Sequence, residues 1–229
     1  MGRRRRSLGV DTPFWRRAKR RGGPAVTTSS PPPRWQPLPS SSIVETLYED
    51  EDIEDVVALT GPAAPEWLKQ LTIPTNWHLL RLPDGPDQAL ARIAVFGPLG
   101  NGEWQAADTI NVTGFTGWPT FYDVYHSADS VLRGLRSTDI AIRALPVPPT
   151  QWAAAMRSCG TALFGDRSVW LQQSHYFAGS EQPHASRLTV HSTLVDASCR
   201  ERLAEDITQL SDEVYHGFLG ALSEERHAH

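Results

Sequence analysis

Two neighbouring segments of the chain alternate between apolar and polar residues, and this alternation constrains the fold more than any other feature. The segments are 168–177 (SVWLQQSHYF) and 186–195 (SRLTVHSTLV), and eight residues separate them. Such alternation is typical of antiparallel strands, because successive side chains of a strand point to opposite faces of the sheet. With residue 177 opposite residue 186, every aliphatic side chain of the predicted hairpin except the terminal Val195 falls on one face.

The two faces of this predicted hairpin differ in chemistry. One face gathers the aliphatic and apolar residues Val169, Leu171, Phe177, Leu188, Val190 and Leu194. Aromatic and arginine side chains dominate many binding surfaces, so the opposite face predicts a candidate surface for a ligand or a protein partner. Its candidate residues are Trp170, Tyr176, Arg187 and His191. The alternative is that another strand or helix simply covers Trp170 and Tyr176.

The chain ends in a pattern typical of a long amphipathic helix. Apolar residues recur at steps of three and four, and a Ser-x-x-Glu capping box at 198–201 precedes them. The stripe consists of Leu203, Ile207, Leu210, Val214, Phe218 and Leu222. At about 1.5–3 kcal/mol for each buried side chain, such a stripe would dock the helix firmly. We expect it to cover the aliphatic face of the hairpin.

The remaining segments predict further strands and short helices. Segments 76–82, 89–97, 103–115 and 139–145 read as strands, 127–135 reads as a helix, and 50–60 reads as a helix with acids in its first turn. These elements predict an α+β fold with an antiparallel sheet flanked by helices and the long C-terminal helix packed on one face. We expect a single domain over residues 41–225.

This order of elements resembles the PsbP-like fold and, more narrowly, the Lpq-type lipoproteins of mycobacteria. The resemblance rests on "IPTNW" (73–77), a meander without repeats, and "RLTVHSTLVDA" (187–197) before the final helix, and it spans about residues 66–220. It implies a binding or accessory role and carries over no catalytic residue. The chain departs from the family pattern because it shows no lipoprotein signal with a lipid-bearing cysteine, so we expect a cytoplasmic protein.

The first 21 residues are strongly basic, whereas the rest of the chain is acidic. They carry nine basic side chains and one acid, a charge of +8, so the other 208 residues carry −12 of the total of −4. With the Pro- and Ser-rich stretch that follows, residues 1–40 read as a disordered tail and linker. The tail predicts contact with nucleic acid or an anionic membrane, and a merely solvated end is the alternative. The predicted contact residues are Arg3, Arg4, Arg5, Arg6, Arg16, Arg17, Lys19, Arg20 and Arg21.

Catalytic and cofactor motifs do not emerge from the sequence. The eight histidines lack metal-site spacing, the glycines of "GPLGNG" suit a hairpin turn, and Cys159 and Cys199 read as reduced thiols, so we expect no metal and no cofactor. No apolar stretch approaches the length of a membrane-spanning helix. The favoured function is a non-catalytic binding module. The alternative is a hydrolase that uses His175 or His191 of the hairpin.

Overall fold

The computed structural model describes residues 42–81, 89–98, 104–149 and 152–227. Every described residue belongs to one compact unit, Pro33–His229. The described residues do not include the predicted basic tail, its linker or the boundary at residue 40. They also exclude residues 99–102 of the predicted turn at 98–102.

The described residues form helices and strands that are interleaved along the chain. The helices are α1 (Ser42–Glu49), α2 (Trp67–Gln70), α3 (Phe121–Ser127), α4 (Ser130–Gly134) and α5 (Ala204–His227). The strands are β1 (Glu54–Ala58), β2 (Trp77–Leu79), β3 (Arg92–Phe96), β4 (Ala106–Thr116), β5 (Thr138–Ala144), β6 (Ala153–Phe164), β7 (Arg167–Ala178) and β8 (Ser186–Asp196). Across the four described ranges, no helix combines the length and the apolar character needed to cross a bilayer.

All eight strands belong to one antiparallel sheet in the order β2-β3-β4-β8-β7-β6-β5. The remaining strand, β1, pairs with the end of β4 that extends beyond β3. The predicted α+β class with an antiparallel sheet and a packed C-terminal helix is therefore confirmed.

Both faces of the sheet are covered by helices. The first, here called the α1 face, packs Phe115, Phe177 and Val190 against α1 and α3, and Leu171 and Leu194 against α4. The second, here called the α5 face, packs its apolar residues against α5 and the turn before it, where all six predicted stripe residues are buried. Its residues in contact with that stripe include Trp170, Tyr176, Val195, Ile110 and Val112.

The prediction that the last helix covers the aliphatic face of the hairpin is wrong. α5 lies on the opposite face, over Trp170 and Tyr176. The physical reason is that β4 and β3 add Ala106, Ile110 and Ala94 to that face, so it offers apolar side chains to the α5 stripe although the hairpin alone is mixed. Two apolar faces require two helical layers, and the shorter helices form the other one.

The predicted hairpin forms, but its register is shifted by two residues. Phe177 pairs with Leu188, where the prediction placed residue 186 opposite it. Because side chains alternate with a period of two, this shift keeps every side chain on its predicted face. The prediction of the two faces is thus confirmed, although the predicted pairs are not.

Residues 50–60 do not form the predicted helix. α1 ends at Glu49, a turn follows, and the chain continues as β1 beside β4. Asp55 has a φ of 56°, which lies outside the helical region, and the ladder between β1 and β4 is irregular next to it. The pairing of Val57 and Ala58 with β4 outweighs the local preference of the acidic residues for a first helical turn.

Candidate functional site

A band of polar side chains crosses the α5 face at its centre. Asp108 of β4 and His191 of β8 are both almost fully buried, and Asp108 Oδ1 lies 2.6 Å from His191 Nε2. The hydroxyl of Thr193 donates a hydrogen bond of 2.8 Å to the same carboxylate oxygen. The three side chains come together because Asp108 and Thr193 are cross-strand partners and His191 precedes Thr193 on the same face.

The band continues across β7 to β6. Gln172 donates a hydrogen bond of 2.7 Å to the hydroxyl of Ser211, which links the sheet to α5. Further along, Arg157 of β6 donates from Nε to Ser174 Oγ at 2.9 Å and from Nη2 to the Tyr176 hydroxyl at 3.5 Å. All of these groups except the helix serine project from one face of two neighbouring strands, β6 and β7.

Burial is the largest influence on the titration of Tyr176. It raises the pKa of this phenol, and the nearby positive charge of Arg157 offsets the rise in part. The ring stacks on Tyr215 of α5, with ring centres 6.3 Å apart. Tyr176 therefore stays protonated at neutral pH and offers a hydroxyl proton inside the protein.

The four candidate surface residues do not form one exposed surface. Trp170, Tyr176 and His191 are 7 %, 1 % and 1 % exposed because α5 covers their face of the sheet. Arg200 lies over the Trp170 ring, 4.6 Å from its centre, and closes this end of the layer. Arg187 is half-buried at the start of β8, where its Nη1 donates to the carbonyl groups of Ser186 and His184.

The two histidines of the hydrolase hypothesis occupy different faces. His191 has its acidic partner, Asp108, but both lie beneath α5 and open onto no cleft in the described part of the chain. His175 is fully buried on the α1 face, and neither of its ring nitrogens has a hydrogen-bond partner among the described residues. The structure therefore brings neither histidine to a position that a substrate can reach.

The most exposed aromatic residues lie on the other side of the molecule. Tyr48 of α1 is 64 % exposed, and Tyr122 and Tyr125 of α3 are 69 % and 43 % exposed. Both tyrosine rings of α3 contact the ring of His126, with centres 4.1 Å and 5.9 Å apart. The two helices pack on each other through Ile43, Leu47 and Val124. We call Tyr48, Tyr122, Tyr125 and His126 the tyrosine surface.

The aromatic stretch TGWPTFYDVYH (116–126) has a loop-like pattern, which predicts a segment able to close over the candidate surface. Residues from Phe121 onward instead form α3 on the α1 face, so they lie across the sheet from Trp170. Trp118 packs edge-on against Trp152 with ring centres 5.7 Å apart. A signal for the buried band was present in β4, because alternation places Asp108 on the same face as Ile110 and Val112.

The chain has the fold of LpqN from Mycobacterium tuberculosis. The two structures align with a TM-score of 0.57 at 14 % sequence identity, over 74 % of this chain and 94 % of LpqN, which is described as involved in cell envelope biogenesis. No family model matches the sequence, and no curated protein matches it. The predicted resemblance to Lpq-type lipoproteins is thus supported at the level of the fold, while the broader PsbP-like assignment stays a prediction.

Proposed function

We propose that this protein is a non-catalytic binding or accessory module whose protein-contact site is the tyrosine surface. The observation that carries the proposal is the exposure of Tyr48, Tyr122 and Tyr125 on two helices that pack against each other. Tyrosine is enriched in protein interfaces because its ring is apolar while its hydroxyl still forms hydrogen bonds. The ring contacts with His126 hold the two α3 tyrosines in a compact cluster.

The charge beside the tyrosine surface favours a basic partner. Seven acidic residues lie between Glu45 and Asp55, and all but Asp50 are exposed. This segment includes the end of α1, which carries Tyr48, and the start of β1. We propose a partner protein that presents apolar side chains flanked by Arg and Lys, since complementary charge steers association and fixes orientation.

A role at the cell envelope is a further part of the proposal. LpqN, which has this fold, is described as involved in cell envelope biogenesis. The comparisons give no support to the cytoplasmic location that the sequence suggested. Fractionation of cells that produce the tagged full-length chain tests this part, because we expect the protein with the envelope fraction. Recovery in the cytoplasmic fraction alone would contradict it.

Binding of a defined probe tests the contact site. The probe is a synthetic helical peptide of Leu and Arg, and a Leu and Glu peptide serves as its charge-reversed control. We expect the basic peptide to perturb the NMR signals of Tyr122 and His126, and Tyr48→Ser with Tyr122→Ser to weaken its binding by roughly tenfold or more. The matched control is Leu79→Ser, an exposed apolar residue on β2, at 56 % exposure. Equal binding by both variants would contradict the proposal.

A further inference from the structure

Arg157 is a buried cation without an acidic partner. Its residue is 8 % exposed, and its two hydrogen-bonded nitrogens meet only the neutral hydroxyls of Ser174 and Tyr176. Among the described residues it forms no ion pair, whereas Asp108 at the β4 end of the same band is paired with His191. Because taking a charge out of water is costly, buried cations are normally paired with an anion.

A second arginine lies directly beside it. Arg143 of β5 is the cross-strand partner of Arg157, so both side chains project from the α5 face. Like charges directly opposite each other destabilise a sheet, yet here two arginines occupy one pair. β5 is the edge strand and Arg143 is exposed, so a ligand can reach Arg143 from solvent along this edge and meet Arg157 behind it.

We propose that Arg143 and Arg157 bind the phosphate group of a ligand at this edge of the sheet, with Arg157 held in place by the buried hydroxyls of Ser174 and Tyr176. Guanidinium groups offer a planar fork of N–H donors that matches the oxygens of phosphate. Two cations match the charge of a phosphate monoester, which is close to −2 at neutral pH, better than the single charge of a carboxylate. The proposal is independent of the tyrosine surface, which belongs to the helical layer on the other side of the sheet.

The groups around the arginine pair suit an anion. The Ser174 and Tyr176 oxygens accept from Nε and Nη2 of Arg157, which fixes the orientation of its guanidinium group. Tyr215 of α5 stacks on Tyr176 and donates to the carbonyl of Pro146, which follows β5, so neutral groups form this rim. On α5, Gln172 contacts Ser211, and the acidic residue next to Ser211 in the sequence is Asp212. Asp212 is exposed and makes no ion pair with a described residue.

The experiment uses the full-length chain and follows the Nε–Hε NMR signal of Arg157 while inorganic phosphate is added at constant ionic strength. We expect a saturable shift of this signal. Arg143→Gln, an exposed substitution that the fold tolerates, is expected to weaken the apparent affinity by roughly tenfold. Arg157→Lys keeps the charge but loses the fork, so it should also lose binding. Arg136→Gln removes an exposed arginine from the turn before β5 and should change nothing.

A second set of titrations distinguishes a soluble phosphate ligand from the phosphate headgroup of a lipid. Phosphatidylcholine vesicles with and without phosphatidic acid replace inorganic phosphate, and the same Arg157 signal is followed. A shift with free phosphate only assigns a soluble ligand, whereas a shift with phosphatidic acid that free phosphate reverses assigns a lipid headgroup. The proposal is overturned if neither probe gives a saturable shift, or if Arg143→Gln binds as the unsubstituted chain does. The second result is decisive even where Arg157→Lys does not fold.

Discussion

His191 and Asp108 form a hydrogen-bonded pair, 2.6 Å between Nε2 and Oδ1, beneath the C-terminal helix. Thr193 adds a second hydrogen bond to the same carboxylate oxygen. Gln172 and Ser211 form a further polar contact between the sheet and α5. The Gln172–Ser211 contact helps to fix how α5 lies on the sheet, and the Asp108 contacts join β4 to β8 beneath it, because each buried polar group must meet its partner.

Removal of Asp108 should therefore destabilise the fold strongly. We expect Asp108→Ala to lower the free energy of unfolding by roughly 2–4 kcal/mol, because it leaves His191 buried without its partner. Urea unfolding followed by tryptophan fluorescence measures the change. The exposed Asp166→Ala is the control and should stay within about 0.5 kcal/mol of the unsubstituted chain. Replacement of both partners by leucine should recover most of the loss, and failure of Asp108→Ala to differ from the control would refute the argument.

His175 should make the protein sensitive to mild acid. Burial lowers its pKa from 6.5 to about 3, so the ring is neutral in the folded protein and protonated in the unfolded chain between these two values. Stability from this group is complete above pH 6.5 and is lost as the pH falls from 6.5 toward 3. The loss approaches about 1.4 kcal/mol per pH unit once the unfolded ring is protonated.

His175→Leu should remove this acid sensitivity. Urea unfolding at pH 7 and pH 5 measures it, and the exposed His78→Gln serves as the control. Asp196 does not contribute to the change in stability between pH 7 and pH 5, because the hydrogen bonds from Ser198 hold its pKa below the ordinary value of 3.8. Stability from a lowered carboxyl pKa is lost only as the pH falls below 3.8 toward the folded value. Equal pH dependence of the His175→Leu and unsubstituted proteins would rule out this role.

The local patterns predicted the elements better than their partners. The stripe from Leu203 to Leu222 and the two faces of the hairpin follow from periodicity alone, and both are confirmed. Periodicity does not say which face a helix covers, because that depends on the strands beside the hairpin. Periodicity also does not specify the hairpin register, since a shift of two residues between Phe177 and its partner keeps every side chain on the same face.

The candidate site was predicted less well than the fold, for related reasons. The pattern identified Trp170, Tyr176 and His191 as one face but could not show that α5 would cover it. Arg157 lies in "AAAMRSCG", where the alanines favour a helix and obscure the alternation of the strand. Its pairing with Arg143 depends on two segments whose register no local pattern specifies.

Two glycines of α5 allow a matched test of how the helix packs. A Cβ atom added to Gly217 would lie 2.5 Å from Trp67 Cε3, whereas a Cβ at Gly220 meets nothing within 4 Å. Alanine in a helix interior is better than glycine by up to about 1 kcal/mol, so Gly220→Ala should stabilise the protein. Gly217→Ala should instead lower stability by about 1–3 kcal/mol, because the Trp67 ring must move. Thermal unfolding of both variants checks this, and stabilisation by both would show that Trp67 is not held against α5.

The basic tail remains a prediction of the sequence alone, and salt dependence is its sharpest test. Each phosphate of duplex DNA that a basic side chain neutralises adds about −0.9 to the slope of log affinity against log salt. We expect the full-length chain to bind DNA or phosphatidylserine vesicles with such a slope. Conversion of Arg16, Arg17, Lys19, Arg20 and Arg21 to Gln should reduce the slope by up to about 4.5 on DNA. Arg133→Gln with Arg136→Gln removes charge from the folded domain and should leave the slope unchanged.

Since the rest of the chain carries −12, it repels both polyanions, so any attraction that survives the five substitutions must come from Arg3 to Arg6. Equal and negligible binding by all variants would leave the tail as a solvated end.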